Sequence, residues 1–348
     1  MPRVVWGTIA TAGPMGQQRY EIEIQAAIRR RADGWLFEAR RVTSLRSGLS
    51  GAKRIPSRLN GGAPLFLSVV LGRVVYGRPD LTHRFDLRLP AGPQPEVVTV
   101  HDVPPLRFQD EGKLTRAAVG SARRARRVIV PSNFAAEEVR GLLGVEDPVV
   151  IPYGVSAEYS EAPALSDGAL GELGVKTPFI VHAAGASSRK NLPGLADAWR
   201  LLAAARADLQ LVLCGPRDQR RDVAFAELPR VVRTGRLEPR VIAGLMRRAS
   251  AVVVPSTYEG FGLPALEGMA CGVPVVAARR GALPEVCGDA AVLTDPTGEA
   301  LAEGLRMVLE DESLAGRLKA SGLARASQFR WDKAAEEHLR VYNEVLAG

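Results

Sequence analysis

The chain reads VVVPSTYEGFGLPALEGMACGVPVV over residues 252–276. A run of valines, typical of a buried strand, leads into a loop with two closely spaced glycines, and Pro264 then stands where a helix would begin. A second apolar run follows at residues 273–277. Strand, glycine loop, helix and strand in this order are typical of a parallel sheet covered by helices, so this stretch predicts an α/β fold.

The same alternation continues on both sides of this stretch. Apolar runs predict strands at residues 4–10, 97–100, 128–130, 149–152, 179–181 and 209–214. Leu192, Leu195, Trp199 and Leu202 recur at the spacing of one helix face. The 348 residues suffice for two domains, which we place at 1–158 and 159–331 because Pro, Gly, Ser and acidic residues interrupt the pattern between them. The weak periodicity of residues 40–62 predicts a long mobile loop.

The glycine loop of residues 252–276 has the features of an anion site. The amides of Phe261, Gly262 and Leu263 would face a ligand at a helix start, where the helix dipole favours phosphate. Glu259 in the loop and Glu267 in the helix would contact different parts of one extended ligand, with Glu267 on a ribose and Glu259 on a sugar. Two carboxylates are also what a glycosidase uses, and each taken alone is compatible with an ordinary surface position.

Two adjacent cations form a second candidate anion-binding site. Arg189 and Lys190 follow the strand at 179–181 and precede the helix that begins near Leu192. Cations at a helix N-terminus oppose the dipole, so their position indicates an anionic partner such as a pyrophosphate. The alternative is a pair of exposed charges.

The first domain offers His101, which directly follows the strand at 97–100, and His83 in a similar setting. A lone histidine is more often structural than catalytic, and both interpretations stay open. Gly13 and Gly16 follow the first strand without forming G-x-G-x-x-G, which disfavours NAD binding. A glycine turn against a phosphate remains the alternative for this pair.

The net charge of +8 does not indicate a nucleic-acid protein. Six of the 46 basic residues are lysines, and aromatic residues, at 5%, do not accompany the cluster of Arg123, Arg124, Arg126 and Arg127. A solvated helix face is the first interpretation of that cluster, and attraction to anionic lipid headgroups, about 1 kcal/mol per basic residue, is the second. The N-terminus lacks a signal-peptide layout, and no apolar run is long enough to span a bilayer. With three cysteines and no C-x-x-C spacing, we expect a cytoplasmic protein, with the inner membrane face as a second location.

These residues together resemble the retaining glycosyltransferases of family four, the group 1 glycosyltransferases with the GT-B fold. The E-G-F-G-L-P-x-x-E run from Glu259 to Glu267 is similar to that family's E-x7-E motif. Further similar stretches are Arg189-Lys190-Asn191, Gly281-Ala282-Leu283-Pro284-Glu285, Gly288-Asp289-Ala290-Ala291, Phe329-Arg330-Trp331, the Val-Thr-Val-His-Asp run ending at Asp102, Val130-Pro131-Ser132 and Ile151-Pro152-Tyr153-Gly154-Val155. The chain departs from the family where Ala186 follows Gly185 and where Pro14 and Gln17 stand in the first turn.

The resemblance implies two Rossmann-like domains whose parallel sheets face a central cleft, with a last helix at about 332–348 returning to the first domain. It implies that Lys190 and Arg189 neutralise the donor pyrophosphate and that Glu267 holds the ribose. Glu259 and the 261–263 amides would hold the donor sugar, His101 would contact that sugar, and Thr234 and Leu237 would border the base. No metal and no cofactor are expected.

The implied function is retaining, metal-independent transfer of a sugar from a nucleotide-diphosphate sugar to a hydroxyl acceptor in polysaccharide or glycoconjugate synthesis. A hexosyltransferase of mannosyl or rhamnosyl type fits the compact length. The alternatives are a nucleotide-sugar epimerase or sugar phosphorylase of the same architecture, and a non-catalytic nucleotide-sugar-binding protein. The sequence determines neither the donor base nor the acceptor nor the oligomeric state.

Overall fold

The computed structural model describes residues 1–11, 16–49, 53–56 and 64–348. It divides into two compact units, Met1–Gly154 with Arg330–Gly348, and Val155–Phe329. From the sequence, we expected these divisions at 158/159 and 331/332.

Unit 1 is a parallel sheet covered by helices. Its strands are β1 (Arg3–Ile9), β2 (Leu36–Ser44), β3 (Lys53–Ile55), β4 (Leu81–Arg84), β5 (Glu96–Thr99), β6 (Arg127–Val130) and β7 (Val149–Val150). Its helices are α1 (Gly16–Arg31), α2 (Leu65–Tyr76), α3 (Arg116–Arg124), α4 (Asn133–Glu138) and the C-terminal α14 (Trp331–Ala347). The strand order is β3-β2-β1-β4-β5-β6-β7, so the order reverses between β1 and β4.

Helix α14 is anchored in the core of unit 1. The indole N–H of Trp6, a fully buried residue of β1, donates to the hydroxyl of Tyr342 at 3.2 Å. The ring of His338 lies 2.9 Å from the hydroxyl of Tyr20 on α1. Because these buried polar groups satisfy one another, the end of the chain is held on the first domain, as the resemblance implied.

The prediction of a long loop at residues 40–62 was wrong for residues 40–44 and 53–55, while residues 50–52 and 57–62 lie outside the described ones. Strand β2 runs to Ser44, and β3 occupies Lys53–Ile55 at the edge of the sheet. Strand β2 carries Arg40 and Arg41 in succession, and β3 is three residues long, so neither shows the apolar alternation by which a strand is recognised.

Unit 2 is also a parallel sheet covered by helices. Its strands are β8 (Phe179–Ala183), β9 (Gln210–Cys214), β10 (Val231–Gly235), β11 (Ala251–Val254), β12 (Val275–Ala278) and β13 (Val292–Thr294). Its helices are α5 (Ala157–Glu161), α6 (Asp167–Glu172), α7 (Leu192–Ala205), α8 (Gln219–Ala224), α9 (Pro239–Met246), α10 (Leu263–Ala270), α11 (Leu283–Cys287), α12 (Gly298–Glu310) and α13 (Glu312–Ala326). The parallel strands follow the order β10-β9-β8-β11-β12-β13.

The core of unit 2 agrees with this strand order. Strand β11 is buried along its whole length, as a central strand covered on both faces must be. The predicted helix face is confirmed, because Leu192, Leu195, Trp199 and Leu202 of α7 are all buried against the sheet. Side-chain caps such as Thr297 on α12 and Asp311 on α13 satisfy amides at the helix starts.

Candidate functional site

The fold of unit 2 brings three predicted site residues together. The strand order reverses between β8 and β11, which are hydrogen-bonded neighbours. Doubly wound sheets bind ligands outside the carboxyl ends of their strands at such a reversal. Arg189 and Lys190 follow β8, while Glu259 follows β11, so all three lie at the place where this topology puts a ligand.

The three side chains are in direct contact. The Nζ of Lys190 donates to Oε1 of Glu259 at 2.6 Å, and Nη1 of Arg189 donates to Oε2 at 3.2 Å. The amide of Thr257 also donates to the carbonyl of Arg189 at 2.8 Å. Lys190 and Glu259 are 9% and 6% exposed. The two loops therefore form one cross-linked structure in a largely dry environment.

The charged groups of this cluster determine the ionisation of Glu259. Burial by itself raises the pKa of Glu259, but the charges of Lys190 and Arg189 outweigh it and lower that pKa to about 2. Glu259 is therefore ionised at neutral pH, and its charge holds Lys190 and Arg189 beside it. An ammonium has three donors, so Lys190 can bond to Glu259 and to a phosphate oxygen at the same time.

Asn191 fixes the position of the cations. Its φ of 53° lies in the left-handed region, which asparagine tolerates better than most residues. Its side chain caps α7 by accepting from the amide of Gly194, and it donates to the carbonyls of Pro255 at 3.0 Å and Pro296 at 2.8 Å. The loop that carries Arg189 and Lys190 is therefore tied to the end of β11.

Helix α10 begins shortly after Glu259, in the same loop. Gly262 has a φ of 106° and immediately precedes Leu263, with Pro264 in the first turn. The ring of Phe261 is buried against Phe329, with centroids 5.7 Å apart, so the part of Phe261 suited to a ligand is its backbone. That the 261–263 amides hold a sugar or phosphate stays a prediction.

The backbone of Glu259 has a close neighbour that the sequence analysis assigned no function. The amide of Ala282 donates to the carbonyl of Glu259 at 2.9 Å. A Cβ on Gly281, whose φ is 60°, would lie 2.6 Å from that same carbonyl oxygen. Gly281 therefore permits a close backbone approach that no other residue allows without movement.

The remaining predicted donor residues spread along the sheet edge. Glu267 lies in the second turn of α10 and is 9% exposed. Thr234 is the residue before the last in β10 and donates to the carbonyl of Gly235 at 3.1 Å, and Leu237 lies half-buried in the loop that follows. Strand β10 is two strands from β8, or roughly 10 Å at the usual strand spacing. That span suits a nucleoside diphosphate with its phosphates at β8 and its base at β10, and these roles stay predictions.

Sequence reasoning missed two buried side chains beside the cluster. Arg221 donates to the carbonyls of Ala184 at 2.6 Å and Pro216 at 3.1 Å, which fixes the loop after β8. Nδ1 of His182 lies 3.1 Å from the carbonyl of Val253, and burial lowers the His182 pKa to about 4. No motif distinguishes Arg221 from other surface-helix arginines, and His182 lies inside an apolar strand.

In unit 1, both ring nitrogens of His101 are engaged. Its Nε2 lies 3.1 Å from the carbonyl of Phe85, which can only accept, so Nε2 carries the proton. Its Nδ1 then accepts from the hydroxyl of Tyr153. Burial lowers the pKa of His101 to about 4, so the ring is neutral. A hydrogen bond between this ring and a sugar therefore requires one of these bonds to open, and the catalytic role stays a prediction.

The glycine turn of unit 1 is described in part. Gly13 lies outside the described residues, while Gly16 is the first residue of α1 and is exposed. Gln17, which stands at a position where the chain departs from the family pattern, contacts the carboxylates of Glu21 at 3.1 Å and Asp86 at 3.0 Å. The predicted phosphate contacts of Gly13 and Gly16 remain predictions.

Other sequence candidates have structural roles. His83 is fully buried, 2.8 Å from the hydroxyl of Thr99. In the arginine cluster, Arg123 donates to the carbonyl of Leu143 at 2.5 Å, and Arg124 donates to the carbonyl of Gly92 at 2.6 Å. Arg123 is nevertheless exposed and Arg124 half-buried, so the interpretation of this cluster as a solvated helix face agrees with the structure for Arg123 and in part for Arg124.

Within the described ranges there is neither a cluster of metal ligands nor a helix suited to span a membrane. No three His, Cys, Asp or Glu side chains within them cluster as a metal site would require. None of the helices within them combines the length and apolar content needed to cross a bilayer.

Comparison with known sequences places the chain in a family. Residues 27–159 match the family described as Glycosyltransferase Family 4, and residues 171–325 match the one described as Glycosyl transferases group 1. The alpha-maltose-1-phosphate synthase of Mycobacterium tuberculosis is 32% identical over 289 residues, 73% of this chain and 74% of that protein. The O-antigen chain mannosyltransferase B of Escherichia coli is 38% identical over 162 residues, 44% of this chain, and the match spans 42% of that protein.

A solved structure shows the same fold. Anabaena HepE, determined in complex with UDP-glucose, has a TM-score of 0.73 and 24% identity, over 98% of this chain and 100% of the other. The resemblance found in the motifs is thus confirmed: the chain is a glycosyltransferase that belongs to family 4, group 1, and has the two-domain GT-B fold.

Proposed function

We propose that this protein transfers a hexosyl residue from a nucleotide-diphosphate sugar to a hydroxyl acceptor, with retention of the anomeric configuration and without a metal. The donor diphosphate would bind where β8 and β11 end, and its base would lie toward β10. Glu267 would hold the ribose, and His101 would contact the donor sugar. The family membership supports the reaction class, and the geometry of unit 2 supports the placement.

The observation that carries the proposal is the contact of Arg189 and Lys190 with Glu259 at the reversal of strand order. Negative charge develops on the diphosphate as the bond to the sugar breaks. Fixed cations and helix-terminal amides stabilise that charge without reorganising, which is the main way that enzymes lower such barriers. These groups would supply the stabilisation that a metal ion supplies elsewhere.

The chemical step exchanges two bonds at the anomeric carbon. The bond from this carbon to the diphosphate oxygen breaks, and its electron pair leaves with the diphosphate. The acceptor oxygen forms a bond to the same face of the sugar, and its proton passes to the departing phosphate oxygen. Lys190 and Arg189 would hold that oxygen on the reacting face, while Glu259 would hold both the cations and the sugar.

The identity of the sugar and acceptor is a narrower proposal. The Escherichia coli relative is named a mannosyltransferase, which supports a mannosyl donor. We propose that the acceptor is a glycan, a lipid-linked glycan or a small hydroxyl compound of polysaccharide or glycoconjugate synthesis. A lipid-linked acceptor would bring the protein into contact with the anionic inner face of a membrane.

Transfer assays with matched variants test the proposal. Lys190→Met and Glu259→Gln keep the side-chain size and remove the charge, and each should lower turnover about 100-fold or more. The controls are Arg306→Met and Glu303→Gln, since these residues form an exposed ion pair on α12 of the same unit. Breaking a buried pair is destabilising by about 3–5 kcal/mol, so a thermal unfolding curve must show each variant folded at the assay temperature.

Product analysis separates the alternatives. A new glycoside that forms only when acceptor is present supports transfer. A changed sugar without acceptor would identify an epimerase, and phosphate-dependent cleavage of a glycan would identify a phosphorylase. Saturable binding of a nucleotide sugar without turnover with any acceptor would identify a binding protein and contradict the proposal.

A further inference from the structure

Helix α2 presents an apolar face to water. Phe66 is 68% exposed, Val70 57% and Val74 71%, and these residues recur every four positions along one side of the helix. The opposite side, with Val75 and Tyr76, is buried. A helix on a protein surface normally has polar residues on its outer face, so this arrangement indicates a surface that is covered in use.

The sequence around α2 carries the whole positive excess of the chain. Between Glu38 and Asp80 it has eight basic and no acidic residues, which equals the net charge of +8. The basic residues are Arg40, Arg41, Arg46, Lys53, Arg54, Arg58, Arg73 and Arg78. Outside this stretch, basic and acidic residues therefore balance.

Part of this positive charge lies on α2 or on the face of the sheet that α2 covers. Arg73 is the charged residue of α2, and it lies exposed next to Val74. Ile55, the last residue of β3, packs in the same cluster as Val75 on the inner side of α2. Lys53 and Arg54, which precede Ile55, are exposed. Since side chains of a strand alternate between its two faces, Lys53 lies on the same face of the sheet as Ile55 and α2, while Arg73 lies on α2 itself.

We infer that α2, together with Arg73 and Lys53, docks unit 1 on an anionic membrane surface, with the helix lying in the plane of the interface. An apolar helix face inserts among the headgroups and acyl chains, while neighbouring cations are attracted to anionic lipids. The inference assigns a place to the membrane contact that the proposed function includes. Its biological purpose rests on that proposed function, whereas the vesicle test below does not. A second copy of the chain is a poorer occupant, because two surfaces of the same strong charge would repel.

Vesicle binding tests this inference on the full-length protein. Sedimentation would be measured with vesicles of phosphatidylcholine alone and of phosphatidylcholine with an equal amount of phosphatidylglycerol. The wild type should bind the anionic vesicles, and added salt should weaken that binding. The triple variant Phe66→Gln, Val70→Gln, Val74→Gln should bind roughly ten-fold or more weakly, since it loses the inserted side chains. Arg73→Gln should weaken binding about five-fold.

The controls isolate the face of α2. Val223→Gln and Met307→Gln change exposed apolar residues of unit 2, and Lys319→Gln removes an exposed cation there, so these variants should bind as the wild type does. Glutamine is a good helix former, so the triple variant should keep its helix and transfer to a soluble acceptor at the wild-type rate. If neither the wild type nor any variant transferred a sugar, the proposed function would be contradicted. The conclusion from vesicle binding would not be affected.

Three outcomes would overturn the inference. The first is equal binding of the wild type to both kinds of vesicle, or to neither. The second is wild-type binding by the triple variant. The third is a dimer in sedimentation velocity that the triple variant loses, since a second copy would then cover the face.

Discussion

The Nζ of Lys190 lies 2.6 Å from Oε1 of Glu259, although the two residues are 69 positions apart and come from loops after different strands. Both side chains are buried. A diphosphate that binds here must share Lys190 with Glu259, so the carboxylate sets the position of the cation as well as the local charge. A carboxylate held in this way also links the stability of unit 2 to pH.

The acid dependence of stability should reveal the ionised state of Glu259. Its pKa is lowered from 4.5 to about 2 in the folded protein, so its charge stabilises the fold above pH 4.5, and this is lost as the pH falls toward 2. The shift corresponds to about 3 kcal/mol in the free energy of unfolding. Denaturant unfolding at pH 7 and pH 3 should therefore show a smaller loss for Glu259→Gln than for the wild type. Equal losses would contradict the ion pair, and Glu303→Gln is the exposed control.

Glu21 should have the opposite effect in unit 1. Burial raises its pKa from 4.5 to about 8, an effect that Asp86 increases and the bond from Gln17 reduces. The folded state therefore keeps a proton that the unfolded chain releases above pH 4.5, and stability falls as the pH rises through 8. Glu21→Gln should be more stable than the wild type by a few kcal/mol at pH 8.5 and by little at pH 4. A variant less stable at both values would show that the carboxyl group has another role.

Gly281 should be indispensable for the position of Glu259. A Cβ there would lie 2.6 Å from the carbonyl oxygen of Glu259, and the φ of 60° is unfavourable for alanine. Gly281→Ala should lower the free energy of unfolding by about 1–3 kcal/mol and reduce donor affinity, because the carboxylate must move. Gly316→Ala is the control, since that glycine lies exposed in α13 with open space around it. It should stabilise by about 0.5–1 kcal/mol.

His101 should remain neutral across the physiological range. Burial lowers its pKa to about 4, and the carbonyl of Phe85 fixes the proton on Nε2. Nitrogen chemical shifts of the imidazole should show the Nε2–H form from pH 5.5 upward. A transfer rate that changes with a midpoint near 6.5, and loses that change in His101→Gln, would contradict this assignment.

The sequence predicted the parts of this fold whose pattern is local. Strand β11, the start of α10 and the buried face of α7 follow from valine runs, the position of Pro264 and helical spacing, which depend on near neighbours in the chain. Strands β2 and β3 were missed because they lie toward one edge of the sheet, where charged residues are tolerated. Helix α2 and β4 were not predicted either.

In the candidate site, too, the local features were predicted from the sequence and the long-range contacts were not. Arg189, Lys190 and Glu259 were each predicted from motifs, but their mutual contact depends on the strand order that places β8 beside β11. Spacing along the chain carries no information about that order. Arg221 and Asn191 fix the loop after β8 through hydrogen bonds to carbonyls that are distant in sequence. These roles can therefore be recognised only once the fold is known.

Binding of nucleoside diphosphates tests the central claim most directly, because it needs neither the sugar nor the acceptor. Calorimetric titration of UDP and GDP into the wild type, Lys190→Met and the exposed control Lys319→Met would measure the contribution of the cation. A charge-assisted hydrogen bond contributes about 1.5–3 kcal/mol, so Lys190→Met should weaken Kd roughly ten- to 100-fold for the preferred nucleotide, while Lys319→Met leaves it unchanged. If folded Lys190→Met binds that nucleotide with the affinity of the wild type, the diphosphate does not bind at the ends of β8 and β11.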